Sequence, residues 1–113
     1  MKPSHLICRV VRFRHGGGNV LWVGFDDGTE QRVDLGPILR GELFGPLQDP
    51  QAFATVRLNE EAGTLQWANG AELDPETLHD WPVHGPRLAE QLARAEAVLQ
   101  EEAAKRASVR RKV

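Results

Sequence analysis

The chain has 113 residues, of which 41% are hydrophobic and 27% are charged, as expected for one small globular domain. No apolar run approaches the roughly 20 residues that a membrane span requires, and no secretory signal is visible, so we expect no membrane association. The single cysteine, Cys8, excludes an internal disulfide and favours a cytoplasmic location.

The formal net charge of −2 conceals an acidic body and a basic end. Residues 1–80 hold seven Lys/Arg and twelve Asp/Glu, a net charge of −5, whereas residues 81–113 hold seven and four, a net charge of +3. A domain that wraps nucleic acid needs a basic face. The distribution therefore disfavours nucleic-acid binding by the body and leaves only the C-terminal end open to it.

The first third of the chain predicts three strands, rich in β-branched and aromatic side chains, over residues 4–13, 19–25 and 29–35. Three successive glycines from Gly16 separate the first two strands, and Asp27-Gly28 supplies a tight turn between the second and third. Both faces of the second strand are apolar. Trp22 is therefore expected on a face that is covered or that contacts a partner.

The middle of the chain predicts short helices at three proline-containing pairs, Gly36-Pro37, Asp49-Pro50 and Asp74-Pro75. Residues 56–58 and 64–67 predict two more strands, and Asn69-Gly70 indicates a further hairpin. We therefore expect an α+β fold with a mainly antiparallel five- or six-stranded sheet, short helices and a long C-terminal helix.

The last third of the chain predicts a linker followed by a helix. Residues 82–86 are rich in Pro and Gly, and the segment from Arg87 to about Ala107 consists mostly of strong helix formers. An apolar stripe lines one face of this helix, formed by Leu88, Leu92, Ala95 and Leu99. Because an isolated helix of this length is marginal in water, the stripe needs a cover: its own sheet, a second copy of the chain or another protein.

We accordingly divide the chain into an α+β domain at residues 1–81, the linker and amphipathic helix at residues 82–107, and a disordered basic tail at residues 108–113. The titratable residues predict no catalytic, metal or cofactor site. His79 and His84 lack the spacing of helical metal ligands, Cys8 has no nearby basic helix terminus to lower its pKa, and Asp27 is explained by its turn.

Several spaced motifs resemble those of a known family over about residues 5–80. They are Phe25-x-Asp27-Gly28, Val33-Asp34-Leu35, the run from Phe44 to Val56, and the run from Gly63 through Trp67 and Asn69-Gly70 to Leu78. Together they are similar to the bacterial family catalogued as domain of unknown function 2442. The chain departs from this pattern at Ala68, where relatives usually have Pro, and at His79, where Tyr is common.

The resemblance implies a small α+β fold with an antiparallel sheet in a prokaryotic cytoplasmic protein. Some relatives are fused to a helix-turn-helix domain, and others are encoded beside a small domain suspected to be a toxin-antitoxin partner. The family has no established catalytic residues, so none is carried over to this chain.

We therefore predict a non-enzymatic protein-interaction or regulatory module. An antitoxin-like role is one form that this function could take. The expected partner is a small protein encoded nearby or a second copy in a homodimer, and the candidate binding residues are Trp22, Trp81, Leu88, Leu92 and Leu99. The alternative is a nucleic-acid-binding accessory protein that uses the basic end, with candidate contacts at Arg106, Arg110, Arg111 and Lys112.

Overall fold

The computed structural model describes residues 8–111, with side chains for residues 8–105. Its six strands are β1 (Val10–His15), β2 (Val20–Phe25), β3 (Glu30–Asp34), β4 (Arg57–Asn59), β5 (Thr64–Gln66) and β6 (Glu72–Leu73). Its four α-helices are α1 (Gly41–Phe44), α2 (Pro50–Phe53), α3 (Pro75–His79) and α4 (Trp81–Arg111). Two short 3-10 helices occupy Gly36–Ile38 and Gly45–Gln48.

The strands form two antiparallel sheets of three strands each, in the orders β1-β2-β3 and β4-β5-β6. The α+β class is confirmed, but the prediction of a single five- or six-stranded sheet is wrong. Four short helical segments separate β3 from β4, and the short strands β4 to β6 pair with one another. The two sheets meet where the Val10 N–H donates to the Gly63 carbonyl at 2.8 Å. No strand of one sheet pairs with a strand of the other among the described residues.

Both tight turns that the sequence indicated are present. Gly28 closes the β2–β3 turn at φ +87° and Gly70 closes the β5–β6 turn at φ +92°, conformations that favour glycine. The Asp49 carboxylate caps α2 by accepting the backbone N–H of Gln51 at 3.1 Å, as its position before Pro50 predicted.

The core lies between the first sheet, the short helices and the base of α4. Alternate residues of β2 and β3 supply its sheet side, with Leu21, Val23, Phe25, Val33 and Leu35 all buried. Trp67 follows β5 and is also buried, and its indole N–H donates to the Phe53 carbonyl at 3.1 Å. The polar tip of this large side chain is therefore satisfied inside the core.

Helix α4 begins at Trp81, so the predicted linker at residues 82–86 is helical instead. Pro82 is the second residue of the helix, where a missing N–H is tolerated. The N–H groups of Val83 and His84 both donate to the Asp80 carbonyl and close the first turn. Pro86 lies inside the helix on an exposed position, where water can solvate the carbonyl it leaves free. The Pro and Gly content of residues 82–86 therefore led to a prediction that starts the helix too late.

At its other end α4 continues through Arg111, so the backbone of residues 108–111 is helical where the sequence predicted a disordered tail. A helix of 31 residues is about 46 Å long. The molecule measures 63 Å along its longest axis and has a radius of gyration of 17.1 Å. A compact domain of this length would have a radius of about 13 Å, so the excess reflects a helix that extends beyond the body.

Candidate functional site

The base of α4 is packed on the body of the domain. It contacts α1, α3, β3 and the 3-10 helix at Gly36–Ile38, and its Leu88 and Leu92 are half-buried against the core. Trp81, one of the candidate binding residues, is only 8% exposed. The domain itself therefore covers the first half of the apolar stripe.

A shallow apolar groove of about 480 Å³ runs along this base. It is lined by Asp34, Pro37, Trp81, Pro82, Gly85, Pro86 and Ala89. Gly85 allows the Trp81 indole to lie flat on the helix, because a Cβ at that position would be 2.7 Å from Cε2 of the indole. Trp81, a candidate binding residue, therefore forms part of the wall of this groove.

Among the described residues, the last hydrogen bond and ion pair between α4 and the body are made by Glu96. One carboxylate oxygen accepts the backbone N–H of Gly41 at 3.3 Å, and the other lies 3.6 Å from Nε of Arg40. We call residues 97–111 the projecting segment. Every side chain from residue 97 to residue 105 is exposed, including Val98 at 52% and Leu99 at 62%.

Trp22 lies on the face of β2 that is opposite to Leu21 and Val23. It stands between Arg14 of β1 and Arg32 of β3 in the strand register, and the Arg14 guanidinium lies 5.1 Å from the centre of its ring. Such a distance permits a cation–π contact. Trp22 is therefore half-buried by arginine on the outer face of the first sheet, and it is a separate surface from the projecting segment.

A polar cluster joins the β2–β3 turn to the junction of α3 and α4. Nε2 of His79 lies 2.8 Å from the Asp27 carboxylate, and its Nδ1 lies 3.1 Å from the Asp80 carboxylate. The Thr29 hydroxyl donates to Asp27 at 2.6 Å, and the Gln31 amide donates to the His79 carbonyl at 3.0 Å. Each ring nitrogen of His79 faces a carboxylate, so both must carry a proton for both bonds to form.

The electrostatics of the cluster agree with a charged imidazolium. Burial alone would lower the pKa of His79, but its hydrogen bonds to Asp27 and Asp80 outweigh burial, and the pKa lies above the usual 6.5. Hydrogen bonds from the Thr29 hydroxyl and N–H, with a smaller contribution from His79, lower the pKa of Asp27 to about 2. An imidazolium held by two carboxylates links the β2–β3 turn to the junction of α3 and α4, and it lacks the free nitrogen that a general base requires.

A small cavity of about 290 Å³ adjoins this cluster and is lined by Cys8, Glu76, His79 and Asp80. Burial, reinforced by the nearby carboxylates, raises the pKa of the Cys8 thiol to about 11. A thiol with a raised pKa is a poor nucleophile at neutral pH. His84 does not join the cluster, since it lines a different groove beside Phe44 and Leu88.

The pairing of His79 with Asp27 could not be foreseen from the sequence. The two residues are 52 positions apart, and the sequence assigned only the turn to Asp27. Within residues 8–111 the structure brings no three His, Cys, Asp or Glu side chains together in a way that could hold a metal ion. No helix in that range is long and apolar enough to cross a membrane.

The basic candidates fall at the end of α4. The backbone at Arg106, Arg110 and Arg111 is helical, which sets Arg106 and Arg110 one turn apart on the same side of the helix. Lys112 lies outside the described residues.

Comparison with known proteins gives one match. The family model described as "Protein of unknown function (DUF2442)" matches residues 10–83. No curated protein and no solved structure matches the chain. The match ends within the first turn of α4, so the projecting segment lies beyond it.

Proposed function

This chain belongs to the DUF2442 family of proteins of unknown function, and we propose that it is a non-enzymatic protein-interaction module whose projecting segment docks on a helix of its partner. The observation that carries the proposal is the exposure of every side chain from residue 97 to residue 105 on a helix that continues from a packed base. Such a segment presents a surface that the described part of the body does not cover.

The physical argument rests on helix stability. A segment of about 15 residues without tertiary contacts is marginally helical in water, because each residue gains little beyond its own propensity. Leu99 lies seven residues after Leu92, so it continues the stripe that the body covers further back. Burial of Leu99 and Val98 by a partner would supply the missing contacts, at about 25 cal/mol for each Å² of apolar surface.

The polar cluster supports a structural role for the body. His79 is engaged at both ring nitrogens, and the pKa of Cys8 is raised, so neither side chain is activated for chemistry. A regulatory or antitoxin-like function would follow if the partner were an enzyme whose activity falls when the segment binds.

The test compares the full chain with three variants: a chain that ends at Glu96, the substitution Leu99→Gln, and the matched control Ala97→Gln. All side chains from residue 97 to residue 105 are exposed, so we expect all three variants to unfold at the same urea concentration as the full chain. Association with itself, by sedimentation, and with host proteins, by cross-linking, should be lost in the truncation and in Leu99→Gln and retained in Ala97→Gln. Identical association by all four proteins would contradict the proposal.

Nucleic-acid binding is a competing use of the same segment, carried by Arg106, Arg110, Arg111 and Lys112. Phosphate contacts of this kind weaken steeply with salt. A mobility shift with DNA or RNA that is lost when these four residues are replaced by Gln, but kept in Leu99→Gln, would favour this alternative over protein interaction.

A further inference from the structure

Along the sequence, the charges of the projecting segment and of the residues on either side of it, Glu96 and Lys112, form two blocks. Glu96, Glu101 and Glu102 come first, and the basic residues follow from Lys105 onward, at Lys105, Arg106, Arg110, Arg111 and Lys112. Only Ala103 and Ala104 separate the acidic block from the basic block. The segment is therefore acidic near the body and basic at its far end.

From this order we propose that the partner of the projecting segment is the same segment of a second copy of the chain, paired with it in antiparallel orientation. The inference rests on the proposed function and names the partner. In an antiparallel pair the acidic block of each helix lies beside the basic block of the other. In a parallel pair the two acidic blocks would face each other, and so would the two basic blocks. Repulsion between like charges disfavours that orientation.

The boundary between the two charge blocks sets the register of this pairing. It falls at Ala103 and Ala104. A two-fold axis at Ala104 therefore brings Glu101 and Glu102 of each helix beside Lys105 and Arg106 of the other. Isologous pairs of this kind close on themselves and do not propagate into filaments.

The side of the helix that carries Leu99 agrees with this register. Ala95, Leu99 and Ala103 repeat at a spacing of four residues and so share one side of the helix. Arg106 comes seven residues after Leu99, which is a position on the same side. With the axis at Ala104, position 106 of one helix lies level with Glu102 of the other, so the pair would have a seam of leucine and small residues closed by opposite charges.

The first experiment measures the mass of the full chain by sedimentation equilibrium from about 10 μM to 1 mM, a range suited to the weak association of a small interface. We expect a concentration-dependent dimer that becomes at least about 10-fold weaker when NaCl rises from 50 to 500 mM, since salt screens exposed charges. A monomer at every concentration would overturn the inference.

Charge exchange then tests the complementarity. The double variants Glu101→Lys with Glu102→Lys, and Lys105→Glu with Arg106→Glu, should each be monomeric at concentrations where the wild type dimerises, because like charges would face each other. An equimolar mixture of the two variants should form a 1:1 heterodimer, which also shows that both remain folded. Unchanged dimerisation of either variant alone would overturn the inference.

Orientation is tested by disulfide trapping in a Cys8→Ser background. Ala103→Cys should cross-link two chains, because it lies one residue from the axis. Ala95→Cys should not, because the two copies of residue 95 would be about 27 Å apart. Cross-linking through Ala95→Cys, with or without cross-linking through Ala103→Cys, would indicate a parallel pair and overturn the inference.

The outcomes separate this inference from the proposed function. A chain that stays monomeric but captures another protein in a manner abolished by Leu99→Gln and kept in Ala97→Gln refutes self-pairing and leaves the interaction module standing. A chain that neither dimerises nor captures a protein refutes both.

Discussion

The cluster around His79 predicts that the stability contributed by Asp27 depends on pH in a defined window. The pKa of Asp27 falls from 3.8 to about 2, a difference that corresponds to about 2.4 kcal/mol for a fully shielded group. Because the Asp27 side chain is 39% exposed, solvent screening reduces the expected contribution to about 1 kcal/mol. Asp27→Asn keeps an oxygen that can accept the bonds from Thr29 and removes the charge.

Stability is lost at both ends of the pH range, but a different group is responsible at each end. The pKa of Asp27 is lowered on folding, so its contribution is present above pH 3.8 and is lost as the pH falls toward 2. The pKa of His79 is raised on folding, so its contribution is present below pH 6.5 and is lost as the pH rises through the folded value. The pair should therefore stabilise the fold most strongly between these limits.

Urea unfolding of the wild type and of Asp27→Asn at about pH 2.5, 5.5 and 9 measures this effect. We expect a difference of about 1 kcal/mol near pH 5.5, less than half of that at pH 2.5, and a smaller reduction at pH 9, where only the part due to His79 is lost. Asp26→Asn is the matched control, because the neighbouring carboxylate accepts the Arg9 N–H and contacts no histidine among the described residues. In a His79→Gln background, Asp27→Asn should lower the free energy of unfolding by less than it does in the wild type. An equal loss at all three pH values would refute the reasoning.

Three further predictions concern the body. Gly85→Ala should lower the free energy of unfolding by about 1 kcal/mol, because crowding against the Trp81 indole outweighs the gain in helix propensity; a more stable variant in urea would contradict this packing. Trp67→Phe should cost about 2 kcal/mol through the lost bond to the Phe53 carbonyl and the space left behind, seen as a lower urea midpoint with an unchanged slope; an unchanged midpoint would count against the buried indole. Cys8, with a pKa of about 11, should react with iodoacetamide at pH 8 about 100-fold more slowly than an ordinary cysteine, and denaturation in urea should restore the rate; fast labelling of the folded chain would show a different environment.

Local signals in the sequence predicted the elements of the fold well. Runs of β-branched and aromatic residues indicated the three strands of the first sheet, and the Asp-Gly and Asn-Gly pairs located two turns. These features depend on residues that are close together in the chain, where steric and hydrogen-bonding rules act directly.

Features that depend on tertiary contacts were not predictable in the same way. The split into two sheets follows from how the helical segments before β4 pack, and the helical state of Pro82 to Pro86 depends on Trp81 docking against the body. The candidate site shows the same division. The stripe was visible in the sequence, but only the structure shows that its cover ends at Glu96, because that point is fixed by the contacts with Arg40 and Gly41.

The separation of the projecting segment from the core also bears on how this protein can diverge. Substitutions in a packed core are constrained because most of them lower stability toward the threshold for folding. Described side chains beyond Glu96 are all exposed, so exchanges there leave that threshold almost unchanged. Under the proposed function, binding preference would therefore evolve on the projecting segment, one charge or leucine at a time, while the body keeps the same fold.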